Sequence, residues 1–192
     1  MHHAFQYNQY LLKRQVLALT GKFRLFNPQG ELVLYSQQKM FKLREDIRAY
    51  TDESLSEELL YIQARSILDF SAAYDVNDSR EGRRIGVLRR KGLRSMLRDE
   101  WEVLGPDERP LGILTEDSVS LAILRRFLLG SLLPQNYDIL FGGGRVADLR
   151  QRFNPFRYEL DLDFTMDTSN QLDRRLGIAA AVLLGAIEGR QE

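Results

Sequence analysis

Apolar and polar residues alternate with a period of two along most of this chain. The clearest case is 156–164, where Phe156, Tyr158, Leu160, Leu162 and Phe164 are separated by Arg157, Glu159, Asp161 and Asp163. Successive side chains of a strand point to opposite faces, so this pattern predicts one buried face and one wet face. Residues 22–26 repeat it, with Phe23 and Leu25 on one side and Lys22 and Arg24 on the other. Further strands are predicted over 7–16, 31–36, 59–65, 71–76, 84–90, 97–104, 111–116, 137–141 and 145–153. Turn chemistry separates them: Asn27-Pro28-Gln29-Gly30, Gly105-Pro106-Asp107 and Gly142-Gly143-Gly144. Many short strands with regular turns predict an antiparallel sandwich or barrel.

The end of the chain breaks the pattern. Residues 176–187 read LGIAAAVLLGAI, apolar on every side. A helix without a polar face must be surrounded. At ~1.5 Å per residue the run is roughly 18 Å long, too short for a hydrocarbon core of ~30 Å. The charged flanks Asp173, Arg174, Arg175 and Glu188 agree with a helix buried in protein. Ser169 or Asn170 is the expected cap, Asp173 suits the first turn, and Gly189 suits the C-cap. Roughly ten to twelve strands and one apolar helix fit a closed antiparallel barrel, since closure removes sheet edges and a larger barrel has a lumen to fill. Ala179, Ala180, Ala181 and Gly185 keep that helix thin. The expected fold is therefore mainly β. It is one domain over 1–192, with the buried helix at 172–188. Helical character is also expected over 42–50 and 118–133.

Composition narrows the chemistry. The chain has 27 basic and 27 acidic residues, so no overall field draws nucleic acid. There is no cysteine, which removes thiolate metal sites and cysteine nucleophiles. Histidine occurs only as His2 and His3, at an end expected to fray. The usual general base is thus missing from the interior, and the reading is a non-enzyme with no catalytic residue and no cofactor. No leader pattern or transmembrane span is read, and the expected location is cytoplasmic, peripheral at the inner membrane face.

Charge is nevertheless segregated. Arg80, Arg83, Arg84, Arg89, Arg90, Lys91, Arg94 and Arg98 crowd one segment, and Asp99, Glu100, Glu102, Asp107, Glu108, Glu116 and Asp117 follow. Cations near an anionic leaflet contribute ~1 kcal/mol each. Arg89, Arg90, Lys91 and Arg94, with Gly92 letting the backbone bend, are the candidate anionic-headgroup site. The competing reading pairs these cations with the acidic strand next door. Asp161, Asp163 and Asp167 are calcium candidates, because hard cations take clustered oxygen ligands. An EF-hand loop is excluded, since Met166 stands at the glycine position and Leu172 at the glutamate position. Gly142 to Arg145 lacks the lysine and helix of a P-loop and reads as a hairpin turn. Trp101 reads as core, Asp99 on the same row as a polar interior position, and Glu45 with Asp46 as solvated surface.

The FRLFNPQGELVLYSQQ hairpin, the YDVND and GVLRRKGLRSMLRDEWEV blocks, the NPF segment at Asn154 and the closing apolar helix occur in this order. The arrangement resembles the Tubby C-terminal-like superfamily, which includes LURP-one-related proteins and phospholipid scramblases. The likeness runs from about Tyr10 to Glu188. It implies a twelve-stranded barrel around a central C-terminal helix. It also implies a non-enzymatic binding protein, since Tubby-type members hold a phosphoinositide headgroup through basic surface residues. Its alternatives are a protein-interaction module without a lipid ligand and scramblase-type lipid transport. Scramblases resemble this chain in carrying an acidic, proposed calcium-binding segment before the terminal helix, where Asp161, Asp163 and Asp167 fall.

Overall fold

Alternating strands need partners on both edges, and here each finds them in its sequence neighbours except at the closure, where the first and last strands pair. The structure, a computed structural model, describes residues 1–15, 20–39, 46–65, 73–91, 100–116, 134–154 and 157–188. Its strands are β1 (Gln9–Gln15), β2 (Thr20–Phe26), β3 (Leu32–Lys39), β4 (Asp46–Tyr50), β5 (Glu58–Ala64) and β6 (Ala73–Asp78). The second half contributes β7 (Arg83–Arg90), β8 (Glu100–Leu104), β9 (Pro110–Glu116), β10 (Asn136–Phe141), β11 (Gly144–Gln151) and β12 (Arg157–Asp163). The helix α1 (Arg174–Glu188) follows. Each strand pairs antiparallel with the next, and β1 closes on β12, completing a twelve-stranded barrel.

The barrel wall obeys the alternation. On β12, Tyr158, Leu160 and Leu162 are buried and Glu159, Asp161 and Asp163 are not. Leu160 lies opposite Leu12 of β1, and Leu162 opposite Leu149 of β11. The helix fills the lumen, and every residue from 174 to 186 is buried. Small residues stand where helix and wall meet. A Cβ at Gly177 would lie 2.5 Å from Cε1 of Phe164, and one at Gly86 on β7 would lie 3.0 Å from Cδ2 of Leu176.

Hairpins close one end of the barrel. Asn27 Oδ1 accepts the N–H groups of Gln29 and Glu31, and Gly30 takes φ +80°. Gly142 and Gly143, both at positive φ, form the two-residue link between β10 and β11. Two positive φ values match the right-handed twist of the flanking strands.

Three expectations need correction. Residues 46–50 are strand rather than helix. Ile47 and Ala49 face the core opposite Ile62 and Leu60, with Arg48 outside, and five residues are too few for a helical stripe to compete. The N-terminus is not frayed at His2 and His3. A 3-10 turn, His3–Phe5, buries Ala4 and Phe5 and ties it down. The helix cap is Asp173, not Ser169 or Asn170. The Asp173 carbonyl accepts from Leu176 and Gly177, while Asn170 is spent in a left-handed turn at φ 49°. The expected helix over 118–133, and Gly189, lie outside the described residues.

Candidate functional site: a charged outer face

The outer face of β5 to β9 gathers the charges. The register sets Arg89 of β7 between Ala73 of β6 and Glu102 of β8. On the far side of Ala73, its carbonyl accepts the Arg65 N–H. The next row runs Gln63, Asp75, Val87, Leu104. Val87 and Leu104 are completely buried yet stand apart from the main core. An ion network crosses this row. Arg65 forks onto Asp75 at 2.9 and 2.7 Å and onto Glu108 at 3.1 and 2.9 Å. Arg84 Nη1 reaches Asp75 Oδ1 at 3.2 Å and Glu108 Oε1 at 3.0 Å. Two further N–H groups of Arg84 hold the Pro106 carbonyl, at 3.0 and 2.6 Å. Asp75 and Glu108 are each held below the ordinary carboxylate range, first by hydrogen bonds from Arg65 and also by Arg84. The same contacts raise Arg65.

The predicted headgroup residues divide. Arg89 Nη2 lies 2.6 Å from Glu102 Oε2, and Lys91 Nζ lies 2.6 Å from Glu100 Oε1. Both pairs lie on the outer face. Arg90 sits opposite Trp101, on the inward row, with its guanidinium carbon 6.0 Å from the indole centroid. Arg94 and Gly92 lie outside the described residues, as do Glu45, Leu97 and Asp99. Trp101 is buried, in line with a core role. Arg65 escaped the sequence reading because its partners come from other strands. The signal available was the acidic tip Asp107-Glu108 facing an arginine-rich strand.

The calcium candidates also divide. Asp161 is forked by Arg152 at 2.7 and 2.7 Å. Asp163 accepts from Thr165 N at 2.7 Å and Gln9 Nε2 at 2.9 Å. Asp167 is buried and accepts from Gln171 N, Leu172 N and Arg174. Among the described residues no group of three or more His, Cys, Asp or Glu is placed to hold a metal ion.

A closed antiparallel barrel wound on its own C-terminal helix, charged on the outside and filled within, defines a class of fold rather than a chemistry. The comparison of families makes it specific: the chain belongs to the LURP-one-related family, whose model matches residues 32–185. Comparison with curated proteins finds no match. Among the described residues, no helix is long and apolar enough to cross a membrane.

Proposed function

We propose that this protein is a non-enzymatic binding module that recognises an anionic phospholipid headgroup through the outer face of β5 to β9, at the cytoplasmic face of a membrane. One observation carries the reading: Arg84 and Arg89 of β7, Lys91 just past its end and Arg65 just past the end of β5 lie together on that face. Their side chains are 32%, 33%, 42% and 26% exposed. Each is held by a carboxylate, Arg89 by Glu102, Lys91 by Glu100, and Arg65 and Arg84 by Asp75 and Glu108. Each keeps enough exposure for a phosphate that displaces the carboxylate to reach it. Arginine suits this role because its planar fork matches phosphate oxygens in pairs. The helix occupies the lumen, so the ligand meets the outside of the barrel. The sequence adds Arg94 and Arg98 just beyond Lys91.

Flotation with liposomes tests this. Wild type is expected to float with vesicles containing phosphoinositide and not with neutral vesicles. Raising salt should release it, because the Debye length falls from ~10 Å at 0.1 M to ~3 Å at 1 M. Arg89→Gln with Lys91→Gln should lose most of the binding while melting near wild type. No preference for anionic vesicles at low salt would overturn the reading and favour a module that binds protein alone.

A further inference from the structure

Glu108 occupies a backbone position that does not suit it. Its φ is 65°, in the left-handed region that favours glycine or asparagine. The turn itself is closed by main-chain bonds, Glu108 N to the Gly105 carbonyl at 3.0 Å and Gly105 N to the Arg109 carbonyl at 2.9 Å. Those bonds make no use of the Glu108 side chain. Its carboxylate instead accepts three N–H bonds from two distant arginines, from Arg65 just past β5 at 3.1 and 2.9 Å and from Arg84 of β7 at 3.0 Å. Asp75 braces both guanidinium groups from β6. The Glu108 side chain remains 41% exposed. Two converged, braced guanidinium groups around one solvent-facing carboxylate have the donor arrangement of a tetrahedral-anion seat.

We propose that Arg65 and Arg84 form a seat for a phosphate monoester, and that Glu108 blocks it from within the chain. The turn 105–109 then acts as a self-inhibitory strap. A dianionic phosphate entering from solvent takes over the donors of Glu108, whose side chain swings out to water while the main-chain bonds of the turn and the Arg84 contacts to the Pro106 carbonyl stay in place. With Glu108 displaced, Arg65, Arg84 and Asp75 sum to one positive charge, which attracts a phosphate and still binds it reversibly. The seat deepens the headgroup reading by naming two of its residues, yet the chemistry is that of any phosphate monoester, lipid or free.

Titration calorimetry with inorganic phosphate, together with flotation on phosphatidic acid vesicles, tests the seat in the full chain. Glu108→Gln weakens the block with little change of shape. Glu108→Gly removes it and suits the positive φ, so it keeps the turn. Both variants should bind inorganic phosphate at least about tenfold more tightly than wild type, by removing a competing charge-assisted contact. Adding Arg65→Gln to either should erase the gain. Phosphate gain without vesicle gain supports the seat, assigns it to soluble phosphate esters and counts against the lipid reading. Wild-type vesicle binding that depends on Arg89 and Lys91, with no phosphate gain in either Glu108 variant, overturns the seat and leaves the lipid reading standing.

Discussion

Arg174 donates from Nη1 to Asp167 Oδ2 across 2.8 Å, with both side chains almost wholly withdrawn from water. Its neighbour Arg175 does the same to Asp78 at the end of β6, and is braced by Asp173. Two cations at a helix N-terminus oppose the helix dipole. Three carboxylates offset that cost and fix how the helix enters the barrel.

These pairs predict acid sensitivity. Burial works to raise the carboxyl of Asp167, but Arg174 and the N–H groups of Gln171 and Leu172 outweigh it and leave the pKa below its ordinary value. Asp78 is likewise lowered, by the Glu81 N–H and Arg175 against burial. A depressed folded pKa gives stability that is complete above the unfolded value of ~3.9 and is lost as pH falls through the folded one. Melting temperature should therefore be insensitive to these groups at neutral pH and fall below about pH 4. Asp167→Asn should cost about 3–5 kcal/mol at pH 7, the usual result of stranding one partner of a buried pair. It should also flatten the acid limb. An unchanged acid limb would refute this assignment.

Arg14 predicts a second anchor at the opposite end of the helix. Its Nη1 donates to the Gly185 carbonyl at 3.1 Å, in the buried interior. The last carbonyls of a helix lack intrahelical partners, and a cation there also suits the dipole. Arg14→Met keeps the stem and removes the donor. It should cost about 1.5–3 kcal/mol, typical of a hydrogen bond to a charged group. Chemical denaturation gives the number, and a loss below about 0.5 kcal/mol would mean the bond is dispensable.

How far the sequence reveals this molecule depends on whether a residue's fate is set locally. Tyr158, Leu160 and Leu162 were readable because alternation is a local property of the strand. The buried helix was readable because an apolar surface on all sides has one physical remedy. The strand 46–50 was not, since Ile47 and Ala49 alone offer too short a pattern to outweigh helix. The helix cap was missed because Asn170 takes a left-handed turn and Asp167 claims the preceding N–H groups, and neither shows in composition. The charged face was half legible. The wealth of arginine was plain, but the pairing of Arg65 with Glu108 spans 43 positions and follows from barrel register.

The β12 strand separates core from surface in adjacent residues. Leu160 is fully buried opposite Leu12, and Leu160→Ala should cost about 2–5 kcal/mol. Asp161, paired with Arg152 on the surface, should cost at most about 1 kcal/mol as Asp161→Asn. Calcium should leave the melting temperature of both proteins unchanged, because Asp161, Asp163 and Asp167 each serve a different partner. A calcium-dependent rise that disappears in Asp161→Asn would reverse this view.

The glycines of the helix make a paired test of how tightly the lumen is filled. Alanine gains about 1 kcal/mol over glycine from helix propensity alone. Against this, a Cβ at Gly177 would meet Phe164 at 2.5 and 2.9 Å, distances that require the ring to move. Phe164 is itself fully buried, and its ring stacks edge-on with Tyr10 and lies 4.9 Å beneath the Arg174 guanidinium. Movement there would disturb the ion pair that seats the helix. At Gly185 the nearest atoms are 3.0 Å away, at the ring edges of Phe23 and Tyr158, so a shift of a few tenths of an ångström suffices. Gly177→Ala should therefore be net destabilising, within the 1–3 kcal/mol usual for overpacking. Gly185→Ala should fall within about 1 kcal/mol of wild type, as propensity and crowding nearly cancel. Thermal melts of the two variants side by side decide the matter. Equal effects at both positions would mean that the wall yields evenly along the helix, and that Phe164 is not the tight point of the barrel.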